Sequence, residues 1–190
     1  MKACGNTPPI AIKSTQFLHP YCPTQVLTSI SDKAEWIGLE RQRWAKYCKI
    51  PCVEETPAGF PPNTLHVQRA LCAVQLYHPA KLNSAIHECY NKFWVEGAVI
   101  QEPKNFGAAL AKALGEDAAK EVLQKMGSAE VKGRLQENTD RAIQEGAFGL
   151  PWFVATNAQG QTEKFWGFDH LGQVIEHLGL ERGNGLRAML

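Results

Sequence analysis

The feature that most narrows the fold of this chain is a change of period at Pro151. From about residue 31 to residue 146, apolar side chains recur at helical spacing. After Pro151 the run Trp152-Phe153-Val154-Ala155-Thr156 has strand composition, Asn157-Ala158-Gln159-Gly160-Gln161 is turn chemistry, and Glu163-Lys164-Phe165-Trp166 returns. Asp169 then reads as the cap of a last helix, with Leu171, Val174, Ile175 and Leu178 inward and Gly179 at its end. A two-stranded hairpin is marginal alone and needs further strands or a helical cover. Either helices cover this hairpin on both faces, or part of its sheet is missing.

Six helices precede it. Asp32 and Glu35 mark the start of the first, where carboxylates favour exposed N–H groups. Trp36, Ile37, Trp44, Tyr47 and Cys48 fall within roughly a 120° arc, which reads as a core-facing stripe, and the helix stops before Pro51. Arg41-Gln42-Arg43 reads as a solvated face. Asn63 caps a second helix, with Leu71 and Val74 inward, ending at His78-Pro79. A third runs from about Ala80 to Glu96, stopped by Gly97, and Pro103 opens a fourth that ends at Gly115. The fifth spans Glu116 to Met126; the sixth begins at Ser128, with Val131, Leu135, Ala142 and Ile143 inward, and ends at Gly146. Residues 1–30, rich in Pro, Thr and Ser, have no sustained period.

With 190 residues and 44% hydrophobic content, a core fits one compact domain or one domain with a large insertion. Twenty basic against 19 acidic residues give a net charge of +1, which argues against a nucleic-acid footprint. No stretch approaches the ~20 apolar residues of a membrane span, and Met1-Lys2-Ala3-Cys4-Gly5 opens no signal peptide. The expectation is an intracellular chain, cytoplasmic first, with mitochondrion or peroxisome as alternatives; Ala188-Met189-Leu190 lacks the basic middle residue of a peroxisomal tripeptide. The six cysteines read as free thiols. Cys48 and Cys52 have three residues between them and form no Cys-x-x-Cys; Cys72 and Cys89 fall on apolar helical faces. No His/Cys group has zinc-ligand spacing, and His66, His78, His87 and His177 read as surface or cap residues without a partner carboxylate.

Three segments carry a family resemblance. Gly146-Ala147-Phe148-Gly149-Leu150-Pro151, the hairpin, and then Phe165-Trp166-Gly167-Phe168-Asp169 resemble the C-terminal part of kappa-class glutathione transferases. The 2-hydroxychromene-2-carboxylate isomerases and, more distantly, the DsbA-like oxidoreductases share the pattern. Met1 to Pro9, with Gly5-Asn6-Thr7-Pro8-Pro9, resembles the loop after that family's second strand. Phe60-Pro61-Pro62-Asn63-Thr64-Leu65 followed by Gln68-Arg69-Ala70-Leu71 resembles the start of its inserted helical domain.

The resemblance implies an α/β, thioredoxin-like fold with a large inserted helical domain. Residues 1–30 would be a remnant loop and linker, 31–127 the inserted domain, and 128–190 the C-terminal half of the thioredoxin-like domain. The N-terminal strand–helix–strand half is expected to be missing. That unit carries the family's Ser-Pro-Tyr motif, whose serine acts on the glutathione thiolate; Ser14-Thr15-Gln16 and His19-Pro20-Tyr21 are the nearest runs and neither matches. The catalytic residue therefore stays unassigned.

The resemblance also implies a ligand site. Pro151 is expected cis, which only proline makes inexpensive, leaving the Leu150 N–H and C=O to pair with a peptide-like ligand in strand fashion. Phe168 and Asp169 stand where the last helix begins, with backbone donors for the γ-glutamyl carboxylate and the Asp169 carboxylate for the ligand's ammonium. Phe168 departs from the family's hydroxyl or amide residue. Asn6 matches the asparagine that contacts the ligand from the overlying loop, and Lys13 reads as a solvated lysine. Glutathione as co-substrate, a small electrophile, and no metal follow from the resemblance, and a homodimer is compatible with it. The expected activity is conjugation or isomerisation of the electrophile. The alternative is a catalytically inactive truncated form or accessory protein whose open strand edge pairs with another chain. A disulfide oxidoreductase needs the Cys-x-x-Cys this chain does not have.

Overall fold

The computed structural model describes residues 11–14 and 31–181. They fall into two compact units, residues 31–139 in one and residues 11–14 with 140–181 in the other, the boundary lying within a helix.

The first unit is helical, as the 3.6-residue period predicts. Helices α1 (Ser31–Cys48), α2 (Leu65–Tyr77), α3 (Leu82–Tyr90), α4 (Pro103–Leu114), α5 (Glu116–Lys125) and α6 (Ala129–Gln144) follow the expected order. Pro103 occupies the first turn of α4, where its missing N–H costs nothing. Helices α2 to α5 bury Cys72, Val74, Ala85, Leu110 and Val122, all with essentially no exposure. Val131 and Ala142 of α6 are buried as expected, but Ile143 is exposed. The buried Asn138 donates to Gln75 Oε1 at 3.2 Å, so its polar side chain does not go unpaired.

Helix α1 departs from expectation. Trp36, Ile37 and Tyr47 of the predicted core stripe are exposed, Trp36 by 54%, and no described side chain from 35 to 48 is buried. The stripe correctly identified an amphipathic helix, but spacing cannot say whether the surface that would cover it belongs to the same helical unit. What holds α1 is the side read as solvated. The Arg41 guanidinium donates to Cys52 Sγ at 2.9 Å, Val53 O at 2.7 Å and Glu54 O at 2.8 Å, and lies 5.2 Å over the Trp94 ring. Gln42 Nε2 donates to the same two carbonyls.

The C-terminus of α1 closes as a Schellman motif. The Ile50 N–H donates to Ala45 O at 2.9 Å and the Lys49 N–H to Lys46 O at 3.2 Å. The left-handed position falls on Lys49, φ 55°, where glycine is usual. Helix α6 ends in the same motif, with Ala147 N–H to Ala142 O and Gly146 N–H to Ile143 O, both 2.9 Å. There the left-handed position is Gly146, φ 89°.

The second unit contains an antiparallel sheet in the order β1-β2-β3, formed by Ala11–Ser14, Trp152–Thr156 and Thr162–Trp166. The hairpin β2–β3 was legible; β1, inside the segment read as irregular, was not. Its four residues pair along β2 from Ala11↔Thr156 to Ser14↔Phe153, too short a run to show a period. The Asn157 side chain builds the turn, accepting from the Gln159 and Gln161 N–H groups at 3.0 and 2.9 Å. Phe153 and Ala155 point to one face and pack with Val174 of α7 (Leu171–His177) and with Leu178, which caps its C-terminus. His177 is not partnerless. Its Nε2 lies 3.1 Å from Ala155 O and 3.2 Å from Gln161 O, and its Nδ1 3.5 Å from Glu163. With two carbonyls as partners, Nε2 carries the proton and pins α7 to the hairpin. His78 likewise meets a carboxylate, Glu121, at 3.0 Å. No described helix is long and apolar enough to cross a membrane.

Two outcomes follow from these elements. Lys49→Gly relieves the left-handed strain of a side chain, about 1–2 kcal/mol, less the larger unfolded-state entropy of glycine. A net gain of roughly 0.5–1 kcal/mol is expected in urea unfolding. Burial pushes the Cys72 and Cys89 thiols from an ordinary 9.0 up to about 11. Both are raised, so the stability they contribute is whole below pH 9 and is lost as pH climbs from there through 11. At neutral pH, iodoacetamide followed by peptide mass mapping should label the half-buried Cys48 and Cys52 and spare Cys72 and Cys89 until urea unfolds the chain.

Candidate ligand site at the loop before the hairpin

The site is built from the end of α6. The motif centred on Gly146 turns the chain out of the helix and into the loop Ala147–Pro151. The Leu150–Pro151 peptide bond is cis, as expected. No partner among the described residues takes the Leu150 N–H or C=O. A backbone donor and acceptor thus stand adjacent and unpaired just before a strand begins.

The next residue is fixed. Pro151 C=O accepts the Gly167 N–H at 3.0 Å, one step beyond the last register pair, Trp152↔Trp166. This bond brings Leu150 and Pro151 alongside the turn Phe168–His170. Gly167 has φ 97°, a conformation side chains rarely adopt, and a Cβ there would lie 2.3 Å from Asp169 Oδ1. The Asp169 carboxylate therefore folds back over Gly167. It does not cap the helix as the sequence reading had it. Gly167 is the residue before the turn, Asp169 lies inside it, and no side-chain cap bond forms. Asp169 instead keeps a 69% exposed side chain, with Oδ1 3.4 Å from His170 Nδ1. That separation lacks the alignment of a hydrogen bond, and the buried His170 Nδ1 has no bonding partner among the described residues.

Four of the five expected ligand residues, Leu150, Pro151, Phe168 and Asp169, are thus brought to one corner of one unit. Asn6 lies outside the described residues. Among the described residues, no three His, Cys, Asp or Glu side chains gather as a metal site.

The sequence reading missed the aromatic side of this corner. Phe148, 71% exposed, sets its ring 4.9 Å from the Trp166 ring and 5.4 Å from the Trp152 ring. Trp152 and Trp166 are opposite partners in the β2–β3 register, on the sheet face away from α7. Gly149 lies directly beneath the Trp166 indole, with 2.4 Å from its would-be Cβ to Nε1. The signal was present as two tryptophans equidistant from a five-residue turn, which period-two pairing places side by side.

Comparison with known proteins follows the same lines. Human glutathione S-transferase kappa 1 is 37% identical over 123 residues, 64% of this chain and 54% of that protein. The rat glutathione S-transferase kappa 1 is 32% identical over 117 residues, 61% of this chain and 51% of its own length. Glutathione S-transferase kappa 2 of Caenorhabditis elegans is 34% identical over 112 residues, 58% of this chain and 49% of its own. The chain spans about half the length of these curated relatives. Residues 7–179, nearly the whole sequence, match the DSBA-like thioredoxin domain, and with that coverage the chain belongs to the DsbA-like thioredoxin family.

Proposed function

We propose that this protein binds glutathione at the corner formed by Leu150, Pro151, Phe168 and Asp169, and uses it to conjugate or isomerise a small electrophile. The carrying observation is the Leu150 backbone. Its N–H and C=O stand unpaired among the described residues, beside a Pro151 carbonyl already held by Gly167. An extended peptide ligand pairs with such a donor and acceptor in the manner of an added strand. Gly149 and Gly167 shape the same corner, because a Cβ at Gly149 would meet the Trp166 indole and Gly167 holds a φ of 97° that side chains rarely adopt.

Asp169 supplies charge. Its carboxylate is exposed, uncommitted to a cap, and turned back over Gly167, suited to the ammonium of the γ-glutamyl group. Phe168 contributes backbone rather than a hydroxyl or amide side chain. Bound there, glutathione supplies a thiol whose deprotonated form is the nucleophile. The kinship to proteins named glutathione S-transferase kappa supports the transferase reading. The group that would activate the thiol is left unassigned.

The second reading, a non-catalytic accessory protein that docks on another chain, draws on the exposed apolar side of α1, with Trp36, Ile37, Leu39 and Tyr47. Light scattering separates it from the first: a stable monomer with glutathione affinity opposes it.

Isothermal titration with glutathione tests the corner directly. Asp169→Asn should weaken binding by about fivefold, a modest factor because the partner carboxylate is solvent-exposed. Unchanged affinity removes Asp169 from the site. Activity is read as conjugation rate against glutathione concentration over a range of pH, and the absence of saturable turnover at every pH rules out the transferase reading.

A further inference from the structure

We infer that His170 is a positioning residue for Asp169, whose carboxylate it draws away from the γ-glutamyl ammonium when its imidazole is protonated; this rests on the glutathione reading above. The two side chains meet over a bare α-carbon. A Cβ on Gly167 would lie 2.3 Å from Asp169 Oδ1 and 3.5 Å from His170 Nδ1, so the glycine leaves the space that both atoms share. Oδ1 and Nδ1 are 3.4 Å apart. The His170 N–H donates to the Gly167 carbonyl at 3.3 Å, which holds the turn and keeps the ring beside the carboxylate. His170 Nδ1 is buried and has no hydrogen-bond partner among the described residues, while the side chain as a whole is 40% exposed. The ring therefore exchanges protons with water, yet its Nδ1 meets the Asp169 carboxylate rather than solvent.

The two protonation states act on Asp169 in opposite ways. With the neutral ring's proton on Nε2, the Nδ1 lone pair faces Oδ1, and the carboxylate keeps its full acceptor capacity for an ammonium. With both nitrogens protonated, Nδ1–H meets a carboxylate already within ion-pair reach, and a small rotation closes a charge-assisted bond. The carboxylate is then partnered before the ligand arrives. The other charged groups on the elements around the turn are Arg141 and Glu145 at the end of α6, Glu163 and Lys164 of β3, and Glu176 and His177 of α7. Glu163 and His177 lie 3.5 Å from each other at the opposite end of the hairpin. Asp169 is the carboxylate within ion-pair distance of the His170 ring. Linkage makes the effect reciprocal: a ligand that needs the free carboxylate favours neutral His170, so its binding releases a proton to the buffer where histidine titrates.

Calorimetric titration of the full chain with glutathione at pH 5, 6 and 7 tests this. Histidine changes charge in about that interval, whereas the carboxyls of glutathione ionise below it and its amine and thiol at about pH 8 or higher. The affinity of the parent should fall about threefold from pH 7 to pH 5. That is less than the loss in Asp169→Asn, because an exposed ion pair only partly screens the carboxylate. At pH 6, heats measured in two buffers of different ionisation enthalpy should show proton release on binding. His170→Gln should bind with an affinity that stays flat across the three pH values, and should release no proton. Asp169→Asn should be flat as well, because His170 acts through the carboxylate and not on the ligand. A parent whose affinity is flat or rises toward pH 5, a fall that persists in His170→Gln, or a pH dependence retained by Asp169→Asn overturns the inference while the glutathione site stands. Failure of glutathione to bind the parent at all three pH values overturns the glutathione reading and this inference with it.

Discussion

The hydrogen bond from the Gly167 N–H to the Pro151 carbonyl ties together the two segments of the candidate ligand corner. It extends the β2–β3 ladder by one contact beyond Trp152↔Trp166, and so fixes the loop at the end of α6 against the turn that opens α7. The ladder already sets these segments side by side, and this bond carries the pairing up to the residue that follows Leu150. With it, an unpaired backbone donor and acceptor and a back-folded carboxylate share a corner. The left-handed φ of Gly167 is what lets the strand end there and turn.

Around that bond the two sheet faces have different tasks. Phe153 and Ala155 bury against α7, and His177 fastens the helix to the Ala155 and Gln161 carbonyls. That face contributes stability through apolar burial. The other face carries the buried Trp152 and the half-exposed Trp166, with Phe148 set against both. One strand thus serves both purposes because successive side chains alternate across it.

The helical unit obeys the same local rules with different success. Three described helices end in the same Schellman motif, at Lys49, Gly146 and Gly179. The glycines meet the backbone's demand, while the lysine bears some strain. Burial within packed helices pushes the Cys72 and Cys89 thiols up. It leaves α1 as the exception, an amphipathic helix held by the donors of Arg41 and Gln42 rather than by its aromatic stripe.

The sequence by itself determined what is local: the six helices and their order, the hairpin and its Asn157 turn, and the Gly146 stop. It also marked the segments around Pro151 and Asp169 through their likeness to kappa-class transferases. Dihedral preference and apolar period are properties of a few consecutive residues, so they can be read without knowing what lies opposite. Only the tertiary structure decided that residues 11–14 join β2, that Trp36 faces solvent while Arg41 turns inward, and that Asp169 folds over Gly167 instead of capping α7. It alone gathered Phe148, Trp152 and Trp166. Each of these depends on contacts between residues distant in sequence or on the exact path of a turn, and such contacts have energy only once the elements that make them have come together.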